Sequence, residues 1–348
     1  MMPEEWPIAA PAADGTAGAR AAGRGRLATV RRDFFLDPSK RLTEQERALM
    51  TAMLHCLVGD IADSIRAALP GGRIAANDSG DAALVEQLTS SGLLDEPALM
   101  ALLLRRADEE RIATAARARS GRREARVLQG LVSHDYGAVA AAAMALIVAR
   151  GRRRDRFGQC LIAFDDLAPE SAEALVYAIA AALRPELAAG RGTSAANLEL
   201  AEAAGTVLEN RDEERGIDAL TAGLVHFLDE SGGLTDEFIL GAANEGEVAF
   251  IAEVLARRAA IDSDSAIDEL LSGEPNRVMA LLRVADMTRA LSAGLLAGVG
   301  DLLGISDAGA AIVHFDRMTD AEVQAAKSWL GTSPAYRAAL ERLGQGRG

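Results

Sequence analysis

Apolar residues recur along this chain at three- and four-residue spacing, in runs broken every 20 to 40 residues by glycine, proline or a short polar cluster. That period belongs to an α-helix with one buried face, and the breaks are where helices start and stop. Aromatic residues make up only 4% of the chain, so its core must be built from small aliphatic side chains. Alanine, leucine, glutamate and arginine dominate the runs, and few segments show the β-branched and aromatic alternation of strands. The expected fold is therefore all-α, with helical hairpins stacked into a solenoid-like array of the HEAT kind.

The clearest single helix follows Thr43, whose hydroxyl is placed to cap it while Glu46 returns to the cap amide. Leu49, Met50, Met53, Leu54, Leu57, Ile61, Ile65 and Leu69 then form one stripe, ended by Pro70, Gly71 and Gly72. Shorter helices follow, with breaks at 90–92, 130–133, 151–155, 167–170, 190–194, 231–233, 272–275 and 304–307. A second capping box, Thr319 with Glu322, opens a helix that Gly331 ends, and Ser333 and Pro334 open the last one.

These breaks divide the chain into a tail over 1–32, a helical region over 33–190, another over 195–305 and a helical hairpin over 306–348. A duplication is also suggested. Leu93–Leu99 resembles Leu234–Leu240 at an offset of 141, and Leu131–Asp135 resembles Leu270–Glu274 at an offset of 139. Val139 and Ala141 then match Val278 and Ala280.

Charge narrows the function classes. The chain carries a formal charge of -14, divided as +3 over residues 1–160 and -17 over 161–348. An acidic half of that size repels phosphate backbones, which disfavours nucleic-acid binding by the whole chain. Lys40 and Lys327 are the only lysines, a coding bias from which no function follows. Cys56 and Cys160 are too few for a disulfide framework and read as reduced, buried thiols. The N-terminus carries Glu4 and Glu5 where a secretion signal needs positive charge, and the longest apolar run, Ala138–Ala149, is too short to span a bilayer. A cytoplasmic location without membrane contact is expected.

The motifs resemble those of a known family, the bacterial domain of unknown function numbered 2336. The resemblance rests on Arg32–Asp37 with Leu42–Arg47, on Gly233–Thr235 through Gly246–Phe250, and on Leu281–Leu303, which together cover most of 33–305. It implies a helical bacterial protein and brings no reaction, cofactor or catalytic residue with it.

A search for chemistry yields candidates with bland counterparts. His55, His134, His226 and His314 form no local pair of the kind zinc requires, and no metal or cofactor is expected. His134 with Asp135 is the sharpest acid–base candidate, although adjacent residues seldom pair and a structural turn is the preferred reading. Asp165 and Asp166 read as solvated capping acids before Pro169. Gly298, Gly300 and Gly304 imitate a dinucleotide fingerprint but lack the strand that must precede it, so they read as helix-packing glycines. Arg122, Arg123, Arg126, Arg152, Arg153 and Arg154, with His134, are the candidate interaction surface.

The function expected from all this is a non-enzymatic helical-repeat scaffold, regulatory in role, that binds another protein. The alternatives are a nucleic-acid-associated protein using the basic region 122–156, and an enzyme whose site is assembled between helices.

Overall fold

A computed structural model describes residues 42–70, 78–121 and 126–343. Among these residues the chain forms α-helices and no β-strand, apart from an isolated bridge between Arg154 and Cys160. The expected tail and Arg122 and Arg123 lie outside the described residues. Residues 1–47 and 48–348 are two compact units; of the first, Leu42–Arg47 is described.

Helix α1 (Glu44–Ala68) opens as its sequence predicts. Glu46 N donates to Thr43 Oγ1 at 3.2 Å, and Thr43 N donates to Glu46 Oε2 at 2.7 Å. Met53, Leu57, Ile61 and Ile65 are buried, while Cys56 is only partly covered. Among the described residues this is the one helix long and apolar enough to cross a membrane, and its apolar stripe faces the interior of the protein. The next helices are α2 (Asp78–Ser90), α3 (Pro97–Ser120), the short α4 (Val127–Gly130) and α5 (Gly137–Arg152). Arg66 is buried near the end of α1 and links it to α2 through Asp81 at 3.0 Å.

Helices α6 (Pro169–Arg191) and α7 (Thr193–Glu209) form a hairpin that turns at Gly192, and α8 (Ile217–Glu230) packs along α5. Four helices follow: α9 (Asp236–Asn244), α10 (Val248–Ala259), α11 (Ser263–Leu270) and α12 (Pro275–Val284). Helix α13 (Arg289–Leu295) runs into a π-turn at Leu296–Gly300, and α14 (Ala308–Arg317), α15 (Asp320–Leu330) and α16 (Pro334–Arg342) complete the chain. The second capping box forms as expected, with Glu322 N donating to Thr319 Oγ1 at 3.3 Å.

The centre of the core is α10. Val248, Phe250, Ile251, Val254 and Leu255 are buried on it, and it packs against α3, α8, α9, α11 and α12. Phe250 meets Phe238 of α9 edge to face, with ring centroids 5.6 Å apart. Helix α3 also reaches the π-turn, which lies far along the chain. A linear array, in which each repeat touches only its neighbours, contains no such long-range contacts.

The suggested duplication does not survive in the structure. Segment 93–141 folds as the 24-residue α3, the one-turn α4 and the start of α5, whereas 234–280 folds as the shorter α9, α10 and α11 and the start of α12. The caps are out of register as well: Glu96 caps α3, but its counterpart Glu237 lies inside α9, which Thr235 caps. Ala141 is exposed where Ala280 is buried. The physical cause of the divergence is Gly246, which breaks the second segment at φ +73°. A Cβ there would stand 2.8 Å from Ala113 Cα, so the turn between α9 and α10 presses directly on α3. The likeness between the segments is that of two helix starts, each with an acidic residue near the dipole's positive end.

Candidate functional site

The middle of α3 carries Arg105, Arg106, Glu109 and Glu110 at spacings that put them on neighbouring faces of one helix. Around them converge the end of α5, the loop at 160–161, the start of α8 and the turn before α10. Together they enclose a cavity of about 100 Å³ whose lining includes Arg106, Glu110, Arg117, Arg154, Cys160 and Glu247.

Ion pairs tie α3, the end of α5, the start of α8 and the turn before α10 to one another. Buried Arg106 lies 2.7 Å from Glu109 and 2.8 Å from Asp218 at the start of α8. Burial alone would weaken the protonation of Arg106, but Glu109 and Asp218 outweigh it and hold the guanidinium firmly charged. Burial likewise works against the Asp218 carboxylate, and Arg106 and Arg105 reverse the balance, keeping it below the usual range. Arg105 bridges Asp218 to Asp264 of α11, at 2.6 Å from the latter. Arg150 meets buried Glu247 at 2.7 Å, and Arg154 meets Glu110 at 2.9 Å.

Arg153 departs furthest from its expected place on an interaction surface. It is buried, and Nε and Nη2 each lie 2.7 Å from a carboxylate oxygen of Asp166. Its remaining donors reach Arg215 O at 3.0 Å and Ala149 O at 3.2 Å. Asp166 in turn accepts from Ala163 N at 2.9 Å and Ile217 N at 2.8 Å, with its side chain 1% exposed. Asp165 accepts from Asp212 N at 3.0 Å. The two acids expected to be solvated thus organise the junction between α5 and α8, because a buried guanidinium beside them needs a partner.

The other candidates are placed as follows. Arg126 uses its backbone: its N–H and that of Val127 each donate to buried Glu245 at 3.0 Å, which caps α4. Arg154 is engaged as described, and Arg152 faces solvent. His134 Nδ1 accepts from Tyr136 N at 3.1 Å, the structural turn preferred from the sequence, and among the described residues no carboxylate orients the ring. His226 stands 3.4 Å from Glu230 on the exposed side of α8. Among the described residues no three His, Cys, Asp or Glu side chains converge on a metal-sized point. Burial, with Glu110 adding to it, pushes the Cys160 thiol up to about 11, so it stays protonated and is a poor nucleophile. Gly298 is a packing glycine, as read: a Cβ there would lie 2.9 Å from Asn244 Oδ1 of α9.

Missed altogether were Asp218, Glu245 and Glu247 as partners of these arginines. The i to i+3 pairing of Arg106 with Glu109 was legible on α3, but partners about 100 residues away leave no local signal.

What fold and site define is an all-helical protein whose charged cleft is closed by its own ion pairs. A family comparison agrees in kind. Residues 85–327 match DUF2336, described as an uncharacterised protein conserved in bacteria, and the chain belongs to that family. The match begins later than the motifs suggested and extends through α14 into α15. No curated protein and no solved structure is detectably similar to the chain.

Proposed function

We propose that this protein is a non-enzymatic interaction protein, a scaffold with a regulatory role, which receives another protein on the first turns of α3. One observation carries the reading. From Pro97 to Leu104 this helix has no charged side chain, although a quarter of the chain is charged. Leu99 and Leu103 of that stretch are buried, but Leu93, Met100 and Leu104 stand 53%, 37% and 38% exposed. Met100 and Leu104, four residues apart on the helix, share one outward face, with exposed Leu93 in the turn that precedes it, and an apolar patch among charged surroundings is characteristic of a protein-binding surface. Arginines 150, 153 and 154 have carboxylate partners within the chain, which favours this reading over nucleic-acid binding.

The test is affinity capture with full-length protein against the double variant Met100→Glu, Leu104→Glu. A stoichiometric protein retained by the wild type and lost by the variant, with helical circular dichroism unchanged, is the expected result. No stoichiometric partner, or one retained equally by both, would sink the reading.

A further inference from the structure

A different face, on α5, carries an inference beyond that reading. This helix turns Val139, Ala143, Leu146 and Ala149 inward, and it packs along α8 and α4. Its outward face consists of Gly137, Ala141, Met144, Ala145 and Val148, with Met144 45% and Val148 44% exposed. From Gly137 to Ala149 no residue is charged or polar, so this side of the protein offers water an apolar strip three and a half turns long.

The strip has a charge at each end, of opposite sign. Asp135 precedes the helix, and Arg152 lies four residues beyond Val148, on the same face. Neither side chain has an ion pair or hydrogen bond among the described residues, whereas Arg150, Arg153 and Arg154 beside Arg152 are all engaged.

We propose that this face pairs with the same face of a second copy of the chain, the two α5 helices antiparallel and related by a two-fold axis near Met144. An isologous contact requires a patch complementary to itself, and this one is: apolar in the middle, with opposite charges at its two ends. Antiparallel pairing places Asp135 of each copy against Arg152 of the other, twice, and opposes the two helix dipoles. Parallel pairing would set like charge on like charge. Gly137, Ala141 and Ala145 allow the backbones to approach closely, with Met144 and Val148 seated between them. A single helix pair falls below the roughly 1,200 Å² typical of stable complexes, so the dimer is concentration-dependent. Such a pair carries two copies of the α3 face, which gives a scaffold two identical docking points.

The experiment is sedimentation equilibrium of the full chain across the micromolar range at low salt. Wild type should approach twice the monomer mass. Met144→Glu, Asp135→Arg and Arg152→Asp should each weaken association at least tenfold with helical content unchanged, and the double swap Asp135→Arg, Arg152→Asp should restore it. A monomer at every concentration, a dimer indifferent to Met144→Glu, or a double swap as weak as the single reversals would overturn the proposal. Partner capture by the α3 face reads out separately, because none of these residues lies on α3.

Discussion

Arg153 and Asp166 show how much one residue's surroundings decide. Each is unremarkable in sequence, one among five arginines over 150–156 and the other one of two acids before a proline. Buried together, they form a two-pronged pair whose remaining oxygens and nitrogens are satisfied by backbone groups. Removing one partner strands a charge inside the protein, so Asp166→Ala and Arg153→Ala should each cost about 3–5 kcal/mol, read as a lower urea midpoint. The double variant Arg153→Met, Asp166→Ala should cost less than the sum of the two, because it leaves no orphaned charge. Cost at this site therefore depends on completeness of the pair. Arg152, one residue away and facing water, should be replaceable by alanine at less than about 0.5 kcal/mol.

Helix ends behave differently from helix faces. The α3 cap is Glu96, which accepts from Ala98 N at 3.0 Å, Leu99 N at 2.6 Å and Ser171 Oγ at 2.9 Å. Burial opposes ionisation here, but those three donors prevail and hold the carboxyl below its ordinary value. A depressed folded pKa means the stabilisation is fully present above the unfolded glutamate range and is lost as pH falls through the folded value. Glu96→Ala should therefore cost about 0.5–2 kcal/mol at neutral pH, with the difference from wild type shrinking steadily below about pH 4 in urea titrations. At Gly246 the constraint is space and φ together. Gly246→Val should destabilise by at least about 1–3 kcal/mol, because the added carbons meet the α3 backbone. The same substitution at Gly130, with nothing within 4 Å and an ordinary φ, should be far milder in the same assay.

At the scale of the whole molecule, the basic region 122–156 and the acidic charge balance make opposite suggestions about nucleic acid. The ion pairs at Arg150, Arg153 and Arg154 neutralise three of the six described cations there, leaving Arg126, Arg152 and Arg156, the last stacked 4.8 Å over the ring of exposed Phe157. Three outward cations against a net charge of -14 predict negligible retention of DNA or RNA at physiological salt in a gel-shift assay. Retention that falls steeply with salt and is lost in Arg152→Ala, Arg156→Ala would contradict this.

Local chemistry was readable without a structure. Both capping boxes, the buried stripe of α1, the helix stops and the packing role of Gly298 follow from interactions spanning a few residues, and such interactions leave a periodic or positional trace in the sequence. The all-helical class and family membership follow on the same footing. Arrangement was not readable. The hub at α10, the failure of the duplicated segments to fold alike and the closure of the charged cleft all depend on contacts between residues far apart in the chain. A carboxylate carries no mark of which arginine it will meet, and an apolar face none of whether a neighbour will cover it. Only the tertiary structure decides that Asp166 is buried while the outer faces of α3 and α5 remain open to water.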